Sequence, residues 1–344
     1  MVGLSPSPNE VFKLIENRPF VASGTRLRYA PDRFLLTNAN TSCTMLATSL
    51  RSENCSPSAR NAVRVPFGIS VAFVGILTMH EILKNLHVGS FVLDLGCGEG
   101  SFLQCVTAAT IVRVDREAPQ NQGARQGFVQ GDAAALPFAD RTFAAVISNH
   151  SLEHFEDLVS TLGEIGRIIS RGGSLFVAVP DASTMTDRLY RWLARGGGHV
   201  NAFTSPSETA SAIGRATGLP HVATKTLCSS LSFLNRRNAA RPMPRRLLLL
   251  GAGYEWSLFL YAWLSRRFDR LLKTRTSAYG WAFYFGSIVD PIDTQTWVNV
   301  CIRCGSGYSA SFLMSQALVH SNFCGFRLYR CPHCGATNPF ADDQ

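Results

Sequence analysis

Two glycine-rich turns and two cysteine pairs hold most of the residues in this chain that could do chemistry. The run Phe91-Val-Leu-Asp94-Leu-Gly96-Cys97-Gly98-Glu99-Gly100 reads as a buried strand breaking into a turn, with a helix beginning at Ser101. Glycines at 96, 98 and 100 let the backbone turn tightly and approach a ligand without Cβ clashes. A helix N-terminus there would turn its free N–H groups into the same space. Asp115 closes the next apolar run, 19 residues beyond Gly96, where a carboxylate could grip two ribose hydroxyls. A G-x-G-x-x-G fingerprint would need glycine in place of Ser101, and the Gly-Lys-Ser/Thr of a P-loop is absent. Glu99 would repel a pyrophosphate, whereas Glu99 and Asp94 suit a ligand carrying positive charge.

The cysteines point to a metal. Cys301-Ile-Arg-Cys304-Gly and Cys331-Pro-His-Cys334-Gly are two knuckles, each with a glycine after the second thiol that permits a tight turn. Four thiolates make a closed tetrahedral site, which means structural zinc. The 26 residues between the pairs exceed the usual spacing of about 15–20, and Cys324 and His333 are substitute ligands. Free or redox-active thiols are the alternative reading.

Positioning elements can be read around these motifs. Residues 70–86 and 101–108 have helical patterns, and 110–115, 128–132, 143–149 and 173–180 read as strands. Leu158, Leu162, Ile165 and Ile169 share one face of a helix over 156–170. Helices follow at 184–195 and 206–217, then strands at 222–234 and 279–289. Such alternation implies a parallel sheet covered on both faces.

A ligand with both an ammonium and a sulfonium is S-adenosylmethionine, and here a family resemblance enters. Residues 91 to about 180 resemble the class I S-adenosylmethionine-dependent methyltransferases of the broad type 11, small-molecule kind. VLDLGCGEG resembles their first motif, GDAAALPFADRTFAAVISNHSLEHF their third and fourth strands, and ISRGGSLFVAVP their fifth. A looser match continues to about 217. The resemblance implies an α/β, Rossmann-like, doubly wound seven-stranded sheet, followed by a small C-terminal zinc ribbon. It implies Asp115 on the ribose, Asp132 on the adenine amine and Ala133 beside the ring. The full cofactor set it implies is Asp94, Gly96, Cys97, Gly98, Gly100, Asp115, Asp132, Ala133 and Asn149. An NAD-binding or catalytically dead Rossmann domain remains the alternative.

Methyl transfer to a carbon activated by sulfonium needs alignment, plus a base where the acceptor carries a proton. His154 and His199 are the candidate catalytic residues, with His150 behind them. His154 follows the fourth strand, at the carboxyl-end crevice, and His199 follows Gly196-Gly197-Gly198, which could hinge. Glu153 reads as a solvated or capping acid. The exocyclic-amine box Asn/Asp-Pro-Pro-Tyr/Phe is replaced by Ser148-Asn149-His150-Ser151, and no nucleophilic Cys follows a Pro. A small-molecule, sugar- or lipid-linked acceptor is therefore expected rather than nucleic acid. An RNA or protein methyltransferase docking through its tail, and a non-enzymatic scaffold, are the rivals.

The chain has 344 residues and a net charge of +9. Between Arg236 and Arg275 ten Lys or Arg face two acids, Glu255 and Asp269, a net of +8. Basicity thus marks one region and not the whole surface. Within it, 247–264 is an 18-residue apolar stretch with Glu255 near its middle and arginines at both ends. It reads as a buried or lid helix, or as a helix lying on an anionic membrane; a charge at mid-span argues against crossing. Arg266, Arg267, Arg270, Lys273 and Arg275 read as a solvated face or a phosphate-holding run. The 46% hydrophobic and 17% charged content excludes collagen, coiled coil and global disorder. MVGLSPSPNE lacks the basic and apolar regions of a signal peptide. The expected location is cytoplasmic, with peripheral contact at the inner membrane face through 245–275. The expected layout is a loosely ordered arm over 1–65, a methyltransferase domain over 66–289 and a ribbon over 297–340.

Overall fold

The computed structural model describes residues 81–83, 86–98, 109–120, 125, 127–184, 187–188, 191, 199–228, 254–288, 296–323 and 326–341. Strand β1 (Phe91–Leu95) pairs in parallel with β2 (Thr110–Asp115) on one side and β4 (Phe143–Asn149) on the other. Strand β3 (Phe128–Gln130) extends the sheet beyond β2, and β5 (Ile169–Pro180) beyond β4. Strand β7 (Ala278–Gly286) runs antiparallel to β5, and β6 (His221–Cys228) antiparallel to β7. The chain thus winds outward from β1 in one direction and from β4 in the other. The crevice at their carboxyl ends is the place where such sheets bind ligands.

Alternation along the strands buries both faces. Leu93, Leu95, Val112, Val114, Val146, Leu175, Val177, Phe283 and Phe285 face helices α1 (Leu158–Ile168) and α2 (Pro206–Thr217). Those helices contribute Leu162, Ile165, Ile168, Ala210 and Ile213 to the same core. On the opposite face Val92, Ala145, Ile147, Phe176, Ala178 and Tyr284 pack with Ile82 and Leu83 of a 3-10 turn, Glu81–Leu83. Asp157 caps α1 by accepting from the Ser160 N–H, and Ser205 caps α2 by accepting from that of Glu208.

The tail is built onto this sheet. Strand β8 (Trp297–Val300) pairs in parallel with β6, and β9 (Gly307–Tyr308) pairs antiparallel with β8. Among the described residues the sheet therefore has nine strands, the expected seven plus two from the tail. The short helix α4 (Ala310–Ser315) leads to a separate three-stranded sheet of β10 (Val319–Phe323), β11 (Phe326–Arg330) and β12 (Thr337–Pro339).

Several expected boundaries shift. The helix expected at 156–170 ends at Ile168, because Ile169 already turns into β5 with extended backbone. The expected strand at 222–234 is seen as β6, and its part beyond Cys228 lies outside the described residues. So do the arm over 1–65, the helix over 101–108, most of the helix over 70–86, and much of that over 184–195.

The largest correction concerns the apolar helix. Helix α3 spans Glu255–Leu272, not 247–264. Glu255 stands in its first turn, where a carboxylate suits the helix dipole, and receives two bonds of 2.6 Å from the Arg303 guanidinium. The other end is fixed by Asp269, whose carboxylate accepts from Thr274, Thr276 and Ser277 after the chain turns at Lys273. Arg266 is not on a solvated face: it is buried and donates to the Pro339 carbonyl. Among the described residues no helix is long and apolar enough to cross a membrane.

Candidate active site

The turn after β1 is closed by the turn after β4. Gly96 has φ +70°, and a Cβ there would lie 2.3 Å from the Cβ of Ser151. The Ser151 hydroxyl donates to the Leu95 carbonyl at 2.9 Å and pairs with that of Ser148 at 2.6 Å. The Gly98 N–H donates to Asp115 Oδ2 at 2.9 Å, and the Glu117 N–H to Oδ1 at 3.2 Å. Two backbone donors thus hold the Asp115 carboxylate across the ends of β1 and β2, with lone pairs left for two hydroxyls. Gly98, at φ +50°, has open space where a Cβ would stand, so ligand can approach its backbone.

Asp94 is 2% exposed. Its Oδ2 is buried with no hydrogen-bond partner among the described residues. Burial pushes its carboxyl up to about 7, against the pull of Arg113 and with a further push from Asp115. A buried acid with one unanswered oxygen, beside a glycine turn and a pinned carboxylate, fits a ligand that brings an ammonium and a ribose. Cys97 is also buried, and burial with the nearby Asp94 and Asp115 pushes its thiol up to about 12, so it is not a nucleophile.

Asp132 follows β3. It accepts from the Ala134 N–H at 3.0 Å and from Arg116 at 3.3 Å, and Arg116 also reaches Glu156 at 3.6 Å. Ala133 is buried beside it, and Asn149 is half-buried at the end of β4. Gly100 lies outside the described residues, as do Glu99 and Gly196 to Gly198.

His154 and His199 do come together. Their rings meet edge-on, with centroids 4.8 Å apart. The Val200 and Asn201 N–H groups donate to the Glu153 carbonyl, and the Asn201 amide donates to the Leu152 and Phe155 carbonyls. His199 Nδ1 faces Asp187 Oδ1 at 3.4 Å, and Arg191 holds the other oxygen at 2.5 Å. Burial raises the Asp187 carboxyl, but bonds to His199 and Arg191 outweigh it and hold the group below the usual carboxylate range. His150 stands apart, with φ +53°, stacked on Tyr279 and bonded to its hydroxyl at 3.0 Å. Burial, then Glu153 and Cys228, raise the Tyr279 phenol above its ordinary value.

Three participants escaped sequence reasoning. Glu153, read as solvated, is 2% exposed: the 199–201 segment closes on its backbone carbonyl, and a carboxylate oxygen lies within 4.8 Å of a nitrogen of each of the two imidazoles. Asp187 left only a weak trace, an Asp-x-x-x-Arg pair at helical spacing. Tyr279 gave no signal within its aromatic strand.

The four cysteines of the knuckles also converge. Cys301 Sγ lies 3.6 Å from Cys334 Sγ, and Cys304 Sγ 3.6 Å from Cys331 Sγ. A tetrahedral zinc with bonds of about 2.3 Å would place its sulfurs about 3.8 Å apart. The Arg303 N–H and the Asn338 amide point at Cys301 Sγ, and the Tyr308 hydroxyl lies 3.7 Å from Cys331 Sγ. His333 is exposed, and Cys324 lies outside the described residues.

The central region is similar to known proteins. Residues 93–177 match the family model described as a methyltransferase domain, of type 11. Malonyl-[acyl-carrier protein] O-methyltransferase of Methylococcus capsulatus is 29% identical over 223 residues, covering 54% of this chain and 80% of that protein. Demethylmenaquinone methyltransferase of Roseiflexus castenholzii is 34% identical over 94 residues, 24% of this chain and 40% of that protein. The solved YcgJ protein from Bacillus subtilis is 18% identical at a TM-score of 0.41, covering 59% of this chain and 93% of that one.

Asp94 predicts a pH dependence. Its folded-state pKa is raised to about 7 from 3.8, so the native state keeps a proton that the unfolded chain releases. Stability contributed by the neutral acid is present below about pH 4 and is lost as pH rises through about 7. Denaturant titrations of the wild type should show this decline, and Asp94→Asn should flatten it. A decline that survives in the variant would place its origin elsewhere.

Proposed function

We propose that this chain is a class I S-adenosylmethionine-dependent methyltransferase whose acceptor is a small molecule linked to lipid or sugar and met at a membrane surface. The carrying observation is the outward face of α3. Trp256, Leu260, Leu264, Phe268, Leu271 and Leu272 are all exposed, Trp256 by 67% and Leu271 by 68%. Their spacing puts them on one side, opposite the buried Leu258, Ala262, Ser265 and Arg266. Arg267 and Arg270 border this face and Lys273 and Arg275 follow it, while both acids of the region point away into Arg303 and the Thr274–Ser277 turn. An apolar stripe edged with cations suits the interface of an anionic bilayer. The chain from α3 runs directly into β7 and Tyr279, at the crevice.

In this reading Asp94, Gly96, Cys97, Gly98, Gly100, Asp115, Asp132, Ala133 and Asn149 hold S-adenosylmethionine. That group supplies a methyl carbon bonded to sulfonium. Held there, it would offer that methyl carbon to an acceptor lone pair, with the carbon–sulfur electron pair going to sulfur and the acceptor's proton to a base. His154 and His199 stand at the acceptor end, where they set the protonation of the attacking atom. The relative named for demethylmenaquinone supports a small-molecule acceptor.

The knuckle cysteines Cys301, Cys304, Cys331 and Cys334 take a structural zinc. The ion would clamp the β8–β9 turn of the main sheet to the β11–β12 turn of the three-stranded sheet and hold Arg303 against Glu255. Zinc removal by a chelator should lower the melting temperature and change the fluorescence of Trp297, whose indole bonds the Ala341 carbonyl. A chelated protein that melts unchanged would contradict a structural ion.

The acceptor reading is tested by transfer from methyl-tritiated S-adenosylmethionine into a crude cell extract containing membranes. Label should enter the lipid-extractable fraction. The double variant Leu264→Glu, Phe268→Glu should weaken binding to phosphatidylglycerol vesicles by about 100-fold or more, given roughly 1.5–3 kcal/mol per buried side chain, and leave cofactor binding intact. Label in RNA or protein instead, or vesicle binding untouched by the variant, would contradict it.

A further inference from the structure

We propose that Glu153, His154 and His199 form a second metal site, which takes a divalent transition-metal ion at the acceptor end of the crevice. This rests on the acceptor-side reading of the two histidines and says how they act. Each of the three residues offers one ligand atom, and those atoms lie within 4.8 Å of one another.

The Glu153 carboxylate is an independent pointer. Its side chain is 2% exposed and its Oε2 is buried without a hydrogen-bond partner among the described residues. Its Oε1 lies 3.7 Å from His150 Nδ1. A buried carboxylate oxygen left unanswered is costly, and coordination to a cation is one of the few ways to satisfy it.

The second support is the order of groups behind His199. Asp187 Oδ1 faces His199 Nδ1 at 3.4 Å, and Arg191 fixes Asp187 in turn. Metal-bound imidazoles are oriented in this way by a carboxylate on the far nitrogen. The ligands are also preset by backbone, since Val200 and Asn201 bond the carbonyl of Glu153 itself. Bonds of about 2.0–2.2 Å would bring ligand atoms to roughly 3.5 Å of each other. The exposed side chain of His154 can supply that movement.

Two imidazoles and one carboxylate suit zinc, cobalt or iron(II) and leave coordination positions open. An acceptor hydroxyl bound there would lose its proton more readily, as metal-bound water does. The site differs from the closed four-thiolate cluster in both ligand chemistry and openness.

The test is metal content and direct titration of the intact protein. The wild type, equilibrated with zinc and desalted, should carry two equivalents. His199→Gln and Glu153→Gln should each carry one, with the thiolate cluster still filled. Protein whose cluster holds zinc should bind one further equivalent of Co²⁺ with weak ligand-field bands and no thiolate charge-transfer band. Asp187→Asn should weaken that binding about 10–100-fold. One equivalent in the wild type, or two in both single variants, would overturn the proposal. S-adenosylmethionine binding, measured on the same samples, reports folding and the methyltransferase reading separately, since none of these substitutions touches the glycine turn.

Discussion

The contact between Ser151 and Gly96 governs the site. Parallel strands end in carbonyls and amides that the sheet no longer pairs, and two turns crowd together where β1 and β4 stop. Ser151 answers the Leu95 carbonyl with its hydroxyl and fills the space that a Cβ at position 96 would need. The turn after β1 must therefore be glycine, and the turn after β4 must carry a small hydroxyl residue. That single approach sets the height of Gly98 against Asp115 and starts the 3-10 turn that carries Glu153 and His154. The proposed cofactor and acceptor groups are thus placed by one packing constraint rather than by two separate loops.

Helix α3 is the second organising element, and it joins parts that the sequence separates widely. Its first turn bonds the first knuckle through Arg303, its middle bonds β12 through Arg266, and its end delivers the chain to β7. The polar inward face explains the apolar outward one. Arg266 and Asp269 are consumed by bonds to the tail and to the next turn, so the helix has little apolar surface to hide beneath it. What remains faces outward as Trp256, Leu260, Leu264 and Phe268, with cations at its border.

Much of the sheet was legible because its strands are strongly apolar and its glycine turn is specific. Strands β1, β2 and β4 begin and end as the pattern indicates, apart from Gly96, and α2 does so at both ends. Helix α3 was misplaced because Leu247 to Leu250 extend its hydropathy upstream, while its true start depends on Arg303, 48 residues away. The joining of β8 to β6 was hidden for a similar reason: a four-residue strand carries no label for its partner. Glu153 looked solvated because a lone acid beside a histidine gives no hint of burial, which here comes from the 199–201 segment folding over it. Local pattern located the elements; pairings distant in sequence decided what their charged residues do.

The account depends on the glycine turn and Asp115 forming a working cofactor site. Calorimetric titration of the zinc-loaded protein with S-adenosylmethionine tests this most directly, with Asp115→Ala as the control. The account predicts micromolar binding that the substitution weakens at least ~10-fold, about 1.4 kcal/mol. A folded wild-type protein that takes up no S-adenosylmethionine would contradict it.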